Sequence, residues 1–203
     1  MIVIVDYGMG NIHSVQKALE ALGAKTIVSN KPADINSADK VVLPGVGAFD
    51  DAMLELEKQG LISPLQEYIS KNKPFLGICL GMQIIFESSE EATLKKGLAV
   101  FKGTVKKFIP GAKLKVPHMG WNQLKKSQNT ESPLLKGIED GEYVYFCHSY
   151  YSDPQEKDTV IATTDYGGEF ASVVGRGNIF GAQFHPEKSQ ETGLKILKNF
   201  IAL

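Results

Sequence analysis

With 203 residues, 43% of them hydrophobic and 22% charged, the chain has the size and composition of one globular domain able to bury a core. A formal net charge of −1 gives no electrostatic reason to expect nucleic acid or an anionic membrane as partner, and no apolar run approaches the roughly 20 residues of a membrane span. The opening MIVIVDYG has no basic stretch and no small-residue cleavage site, so no signal peptide is expected; the two cysteines, Cys79 and Cys147, have neither CxxC nor metal-ligand spacing, and a reduced, cytoplasmic setting follows as the expectation.

The first half alternates. MIVIV reads as a buried strand, and NIHSVQKALEALG has apolar residues at helical spacing and a terminal glycine. AKTIVSN is a second strand and KVVLPG a third. A helical stretch follows from about Phe49 to Ser70, broken near Gly60. KPFLGI is a fourth strand, and LGMQIIFESS is expected to be the helix after it. This alternation predicts an α/β fold, a mostly parallel open sheet with helices on both faces. The second half reads as strands separated by turns: GLAVFKGTVKKF, EYVYFCHSYYS, DTVIATTDYG, EFASVVGRG and NIFGAQFHPE, with RGN as a hairpin turn. The chain closes on a helix from about Ser189 to Leu203. These strands form an antiparallel β addition, and residues 1–203 are expected to make a single domain.

Gly77-Ile78-Cys79-Leu80-Gly81 has the form G-x-nucleophile-x-G. At a tight turn from strand to helix, such a residue is held in a strained conformation above the sheet, and small neighbours let the backbone approach. The N–H of Leu80 then points toward a developing oxyanion, and the helix N-terminus favours a thiolate. A free cysteine is often simple core filling; the strand before the motif and the helix after it favour the nucleophile.

A nucleophilic thiol needs a base, and the base a group to orient it. Four histidines are available: His13, His118, His148 and His185. His185 ends an apolar strand, Pro186 prevents a continuing ladder bond, and Glu187 can turn back to the imidazole. In α/β sheets reactive groups gather at the carboxyl ends of strands, where Cys79 and His185 both fall. Pro44-Gly45-Val46-Gly47 also follows a strand; it is either a second oxyanion donor or a plain turn. GMG at residues 8–10 begins like a dinucleotide fingerprint, but position 13 is histidine, and neither a P-loop nor an HExxH is present. No metal and no other cofactor is expected.

Together GICLGMQ, PGVG and the late HPE resemble the class I, triad-type glutamine amidotransferases, in order and in approximate spacing across nearly the whole chain. Within that class, DYGMGN, LPGVGAF, PHMGWN and HPEKS are similar to the glutaminase subunits that feed a separate cyclase in histidine biosynthesis. The resemblance implies that Cys79 attacks the side-chain amide of glutamine, with His185 as base and then acid, and Glu187 holding the ring. Backbone N–H groups of Gly45, Val46, Gly47 and Leu80 would bind the oxyanion. Gln83, with Ser149 and Tyr150, would bind the substrate.

The ammonia is then expected to pass to the cyclase, a β/α barrel forming a heterodimer with this chain, which makes imidazole glycerol phosphate and an aminoimidazole carboxamide ribotide. Asn11, Met119, Trp121 and Lys188 would face it, with MGW presented from a loop. The resemblance further implies low glutaminase activity until the partner is ligated, released by reorientation of Gly45-Val46-Gly47. A γ-glutamyl hydrolase without a partner, a decayed binding subunit, and a paralogue serving another synthase are the competing readings.

Overall fold

The computed structural model describes residues 1–109, 114–127 and 131–203. Its first half follows the expected alternation: β1 (Ile2–Val5), α1 (Ile12–Ala21), β2 (Thr26–Ser29), α2 (Pro32–Ser37), β3 (Lys40–Gly45), α3 (Phe49–Lys58), α4 (Ile62–Ser70), β4 (Phe75–Cys79) and α5 (Leu80–Gln83). The second half adds β5 (Phe86–Ser89), β6 (Phe101–Lys107), β7 (His118–Gln123), β8 (Lys125–Lys126), β9 (Tyr143–His148), β10 (Tyr150–Pro154), β11 (Val160–Asp165), β12 (Glu169–Arg176), β13 (Ile179–Ala182) and α6 (Gln190–Ala202).

The main sheet has eight strands in the order β2-β1-β3-β4-β13-β12-β11-β8. The first five run parallel to one another, and the last three extend the sheet antiparallel. The carboxyl ends of β3, β4 and β13 therefore share one edge, with Gly45 in register with Cys79. The sheet has a core on each face because side chains alternate along a strand. Val3, Val41, Leu43 and Phe75 pack with α2, α3 and α4, whereas Ile4, Val42, Leu76 and Ile78 pack with α1 and α6. Each fully buried aliphatic or phenylalanine side chain contributes roughly 1.5–3 kcal/mol. The turn Gly177–Asn178 joins β12 to β13, as RGN suggests, and Gly177 takes φ +61°.

Three expectations are corrected. The helix after Cys79 is a single turn, and Phe86–Ser89 is strand β5. The carbonyls of Ile84 and Ile85 are captured by the N–H groups of Leu98 and Val100, at 2.7 and 2.9 Å, which pulls the chain out of helix. EYVYFCHSYYS is two strands: β9 pairs with β7, β10 pairs with β6, and Ser149 is where the chain changes sheets. MGW lies within strand β7, because HMGWNQ pairs residue by residue with β9.

Candidate active site

Cys79 ends β4 with φ +54° and ψ −110°, a region that costs a non-glycine residue on the order of 1–3 kcal/mol. The turn closes only because its flanks lack side chains. A Cβ on Gly81 would stand 1.8 Å from the Leu43 carbonyl oxygen, and one on Gly77 would stand 2.5 Å from the Gly81 carbonyl oxygen. Any larger residue would push α5 away from β3, or β4 away from its own elbow. Since α5 is one turn long, the field at the sulfur comes from nearby backbone and side chains rather than from a long helix.

His185 lies three residues beyond the last residue of β13, at the start of the short 3-10 turn Pro186–Lys188. Its backbone makes three hydrogen bonds: its N–H donates to the Tyr145 carbonyl at 2.9 Å, and its carbonyl accepts from the Ser189 hydroxyl at 2.6 Å and the Lys188 N–H at 3.0 Å. Ser189 Oγ in turn accepts from the Tyr145 N–H at 2.9 Å, tying the turn to β9. His185 Nδ1 is 2.8 Å from Glu187 Oε1, with both side chains buried. Burial alone pushes this imidazole down, but hydrogen bonds to Cys79 and Glu187, with the negative charge of both, outweigh it and raise the ring to about 10. A thiol beside a protonated, carboxylate-oriented imidazole can carry out acyl transfer through a thioester.

Cys79 and His185 open on a cavity of 330 Å³, whose lining also includes Val46, Gly47, Leu80, Gln83, Ser149, Tyr150 and Lys188. Larger surface hollows, of 610, 580 and 440 Å³, contain none of these residues. Gln83 Nε2 donates to the Tyr150 carbonyl at 2.9 Å and to Gln183 Oε1 at 3.1 Å. The Ser149 carbonyl accepts from the Phe108 N–H at 3.1 Å.

Gly45 ends β3 beside Tyr7, whose buried hydroxyl has no partner among the described residues; burial, then the charge of Cys79, raise it. Val46 is 42% exposed and Gly47 takes φ +99°. Met119 and Trp121 are exposed on β7, and Trp121 lies edge-on to Tyr145 at 6.0 Å. Lys188 Nζ is 6.0 Å from the same tyrosine ring. Asn11 stands at the N-cap position of α1 without a side-chain capping bond, and α1 touches the Pro186–Lys188 turn. Among the described residues no group of three or more His, Cys, Asp or Glu side chains could hold a metal ion, and no helix is long and apolar enough to cross a membrane.

Sequence reasoning missed a second polar cluster beside the cavity. His148 Nδ1 is 2.7 Å from the Tyr150 carbonyl, so it carries the proton there and leaves Nε2 to accept. His118 Nδ1 therefore donates to it at 3.0 Å, and His118 Nε2 faces Asn122 Nδ2 at 3.3 Å. Phe108, Phe146 and Phe170 pack around both rings, and Tyr166 stacks on His118. Burial drives His118 down to about 4 and His148 to about 3. Gln183 was missed as well, although a side-chain period of two placed it on the same face as His185.

Comparison with known proteins gives a consistent result. The model of the family described as glutamine amidotransferase class-I matches residues 3–203. The imidazole glycerol phosphate synthase subunit HisH of Methanosarcina acetivorans is 53% identical over 205 residues, covering 100% of this chain and 98% of that relative. The HisH subunit of Caldanaerobacter subterraneus subsp. tengcongensis is 51% identical over 200 residues, covering 98% and 97%. A crystal structure of a glutamine amidotransferase superimposes with a TM-score of 0.76 over 100% of both chains at 16% identity, a likeness of fold.

Proposed function

This chain belongs to the glutamine amidotransferase class-I family, and from that premise we propose that it is the glutaminase subunit of an imidazole glycerol phosphate synthase in histidine biosynthesis, working in the cytoplasm with residues 1–203 as a single domain. The observation that carries the chemistry is the strained Cys79 facing an imidazole held by Glu187. The Cys79 thiolate attacks the side-chain amide carbon of glutamine, forming the C–S bond while the carbonyl electrons move onto oxygen. The oxyanion is bound by backbone N–H groups from Gly45, Val46, Gly47 and Leu80; one such donor is worth about 2.7–4 kcal/mol in the transition state. His185 gives its proton to the departing nitrogen, and ammonia leaves as the thioester forms. His185 then takes a proton from water, whose oxygen attacks the thioester to yield glutamate and the free thiolate. Gln83, Ser149 and Tyr150 hold the substrate.

The ammonia passes to a β/α-barrel cyclase in a heterodimer, docked on the face bearing Asn11, Met119, Trp121 and Lys188. Exposed methionine and tryptophan on a paired strand suit an interface anchor. Exposure of Val46 between two glycines supports a hinge that completes the oxyanion site when the partner is ligated. The test is a glutaminase assay of the full chain with and without the cyclase and its ribotide ligand. Ammonia release should rise when both are present. Activity indifferent to the cyclase would overturn the coupled reading, and vigorous cleavage of γ-glutamyl peptides by the chain alone would replace it with a hydrolase.

A further inference from the structure

We propose that Gln183 is a further catalytic residue, whose side-chain amide donates to the Cys79 sulfur and holds Gln83 so that the Gln83 carbonyl oxygen is left for the substrate. Gln183 is fully buried, one strand over from the nucleophile, and its backbone N–H donates to the Ser172 carbonyl at 2.9 Å. An amide in such a place costs desolvation that a leucine would avoid, so its hydrogen bonds must offset that cost.

Which end of the amide meets the sulfur follows from a backbone group whose role is fixed. The Tyr150 carbonyl can only accept, so Gln83 presents Nε2 to it at 2.9 Å. The same nitrogen lies 3.1 Å from the Gln183 side chain, which must therefore present its oxygen there. The Gln183 nitrogen is left facing Cys79 Sγ at 3.8 Å. The His148 Nδ1–H donates to the same Tyr150 carbonyl, which reinforces this order. An N–H aimed at sulfur is worth more to a thiolate than to a thiol. The thiol's own outlet is the Cys147 carbonyl, at 3.9 Å. Gln183 takes no proton and forms no covalent bond; it raises the thiolate fraction and orients the sulfur. Because both N–H bonds of Gln83 are spent on protein, only its carbonyl oxygen can accept a donor from a ligand. This second role rests on the glutaminase reading, whereas the contact with sulfur does not.

The test uses the full chain with Gln183→Leu and with Gln183→Glu, the latter nearly the same shape. Iodoacetamide alkylation of Cys79 is followed against pH by peptide mass spectrometry, with Cys147 in the same molecule as internal reference. The Cys79 midpoint should move up by about one pH unit in Gln183→Leu and further in Gln183→Glu, where a carboxylate would face the sulfur. Cys147 should not move. KM for glutamine should rise about 10-fold in Gln183→Leu and less in Gln183→Glu, which keeps an oxygen for Gln83. A Cys79 midpoint equal to wild type in folded Gln183→Glu overturns the proposal, even if Gln183→Leu fails to fold. Alkylation reads the thiol whatever the substrate, so failure of the glutaminase reading would appear separately, as a wild-type chain inert toward glutamine with its cyclase present.

Discussion

Two buried histidine environments lie on the same side of this molecule and have opposite charge preferences. His185 is 4% exposed, His118 3% and His148 6%. Yet His185 is raised to about 10, while His118 and His148 are lowered to about 4 and about 3. Burial opposes the charged form in all three. At His185 the negative charges of Cys79 and Glu187 outweigh it; around His118 and His148 the neighbours are aromatic rings, an amide and a carbonyl, which supply no countercharge. The companions of a buried histidine, rather than its depth, decide whether it can store a proton for chemistry or serves as a neutral link.

The most severe way to break the contrast is Cys79→Ala. It should lower glutaminase activity by about 10³-fold or more and leave the fold intact, as circular dichroism would check; near-normal ammonia release would refute the assignment of the nucleophile. Glu187→Gln comes next. It removes the carboxylate from His185 and should cost roughly 10²–10⁴-fold in kcat, with the upper limb of the pH–rate profile moving down.

The pH dependence of stability separates the two environments without any assay of activity. The folded value of His185 lies above its unfolded value near 6.5, so its contribution is full below 6.5 and is lost as pH rises toward about 10. His118 and His148 are depressed, so their contribution is full above 6.5 and is lost as pH falls through about 4 and about 3. Denaturation midpoints should show Glu187→Gln flattening only the alkaline slope. Joint replacement of His118 and His148 by glutamine should flatten only the acid slope; a variant that changes the other limb would contradict the division.

The smallest expected effect is that of Ser189→Ala. The change strands the Tyr145 N–H and one His185 carbonyl bond, and should cost about 1–3 kcal/mol in a urea titration. It should lower kcat more than it raises KM, because in the proposed mechanism the turn carries the base and not the substrate contacts.

The parallel half of the fold was legible because β1, β3 and β4 are short, apolar and punctuated by glycine and proline. The elbow was legible for a related reason: Gly77 and Gly81 bracket Cys79 at a spacing that only close backbone packing requires. Strand β5 was not legible. IIFESS follows a helical turn without a breaker, and its strand state depends on pairing with β6 and on Leu98 and Val100 reaching back to Ile84 and Ile85. Strand β7 was hidden similarly, since HMGWNQ has little apolar alternation and becomes a strand by pairing with β9. The histidine pair had no signature at all, because His118 and His148 are 30 residues apart and meet only across that ribbon.

By itself the sequence determined the family, the parallel frame and the positions of Cys79, His185 and Glu187, because motifs of glycine, proline and local periodicity act over a few residues. Only the tertiary structure decided which histidine is charged, where Gln183 points and that Met119 and Trp121 sit on a paired strand. Those outcomes depend on charges, carbonyls and aromatic rings brought together from distant parts of the chain, and no local pattern encodes them.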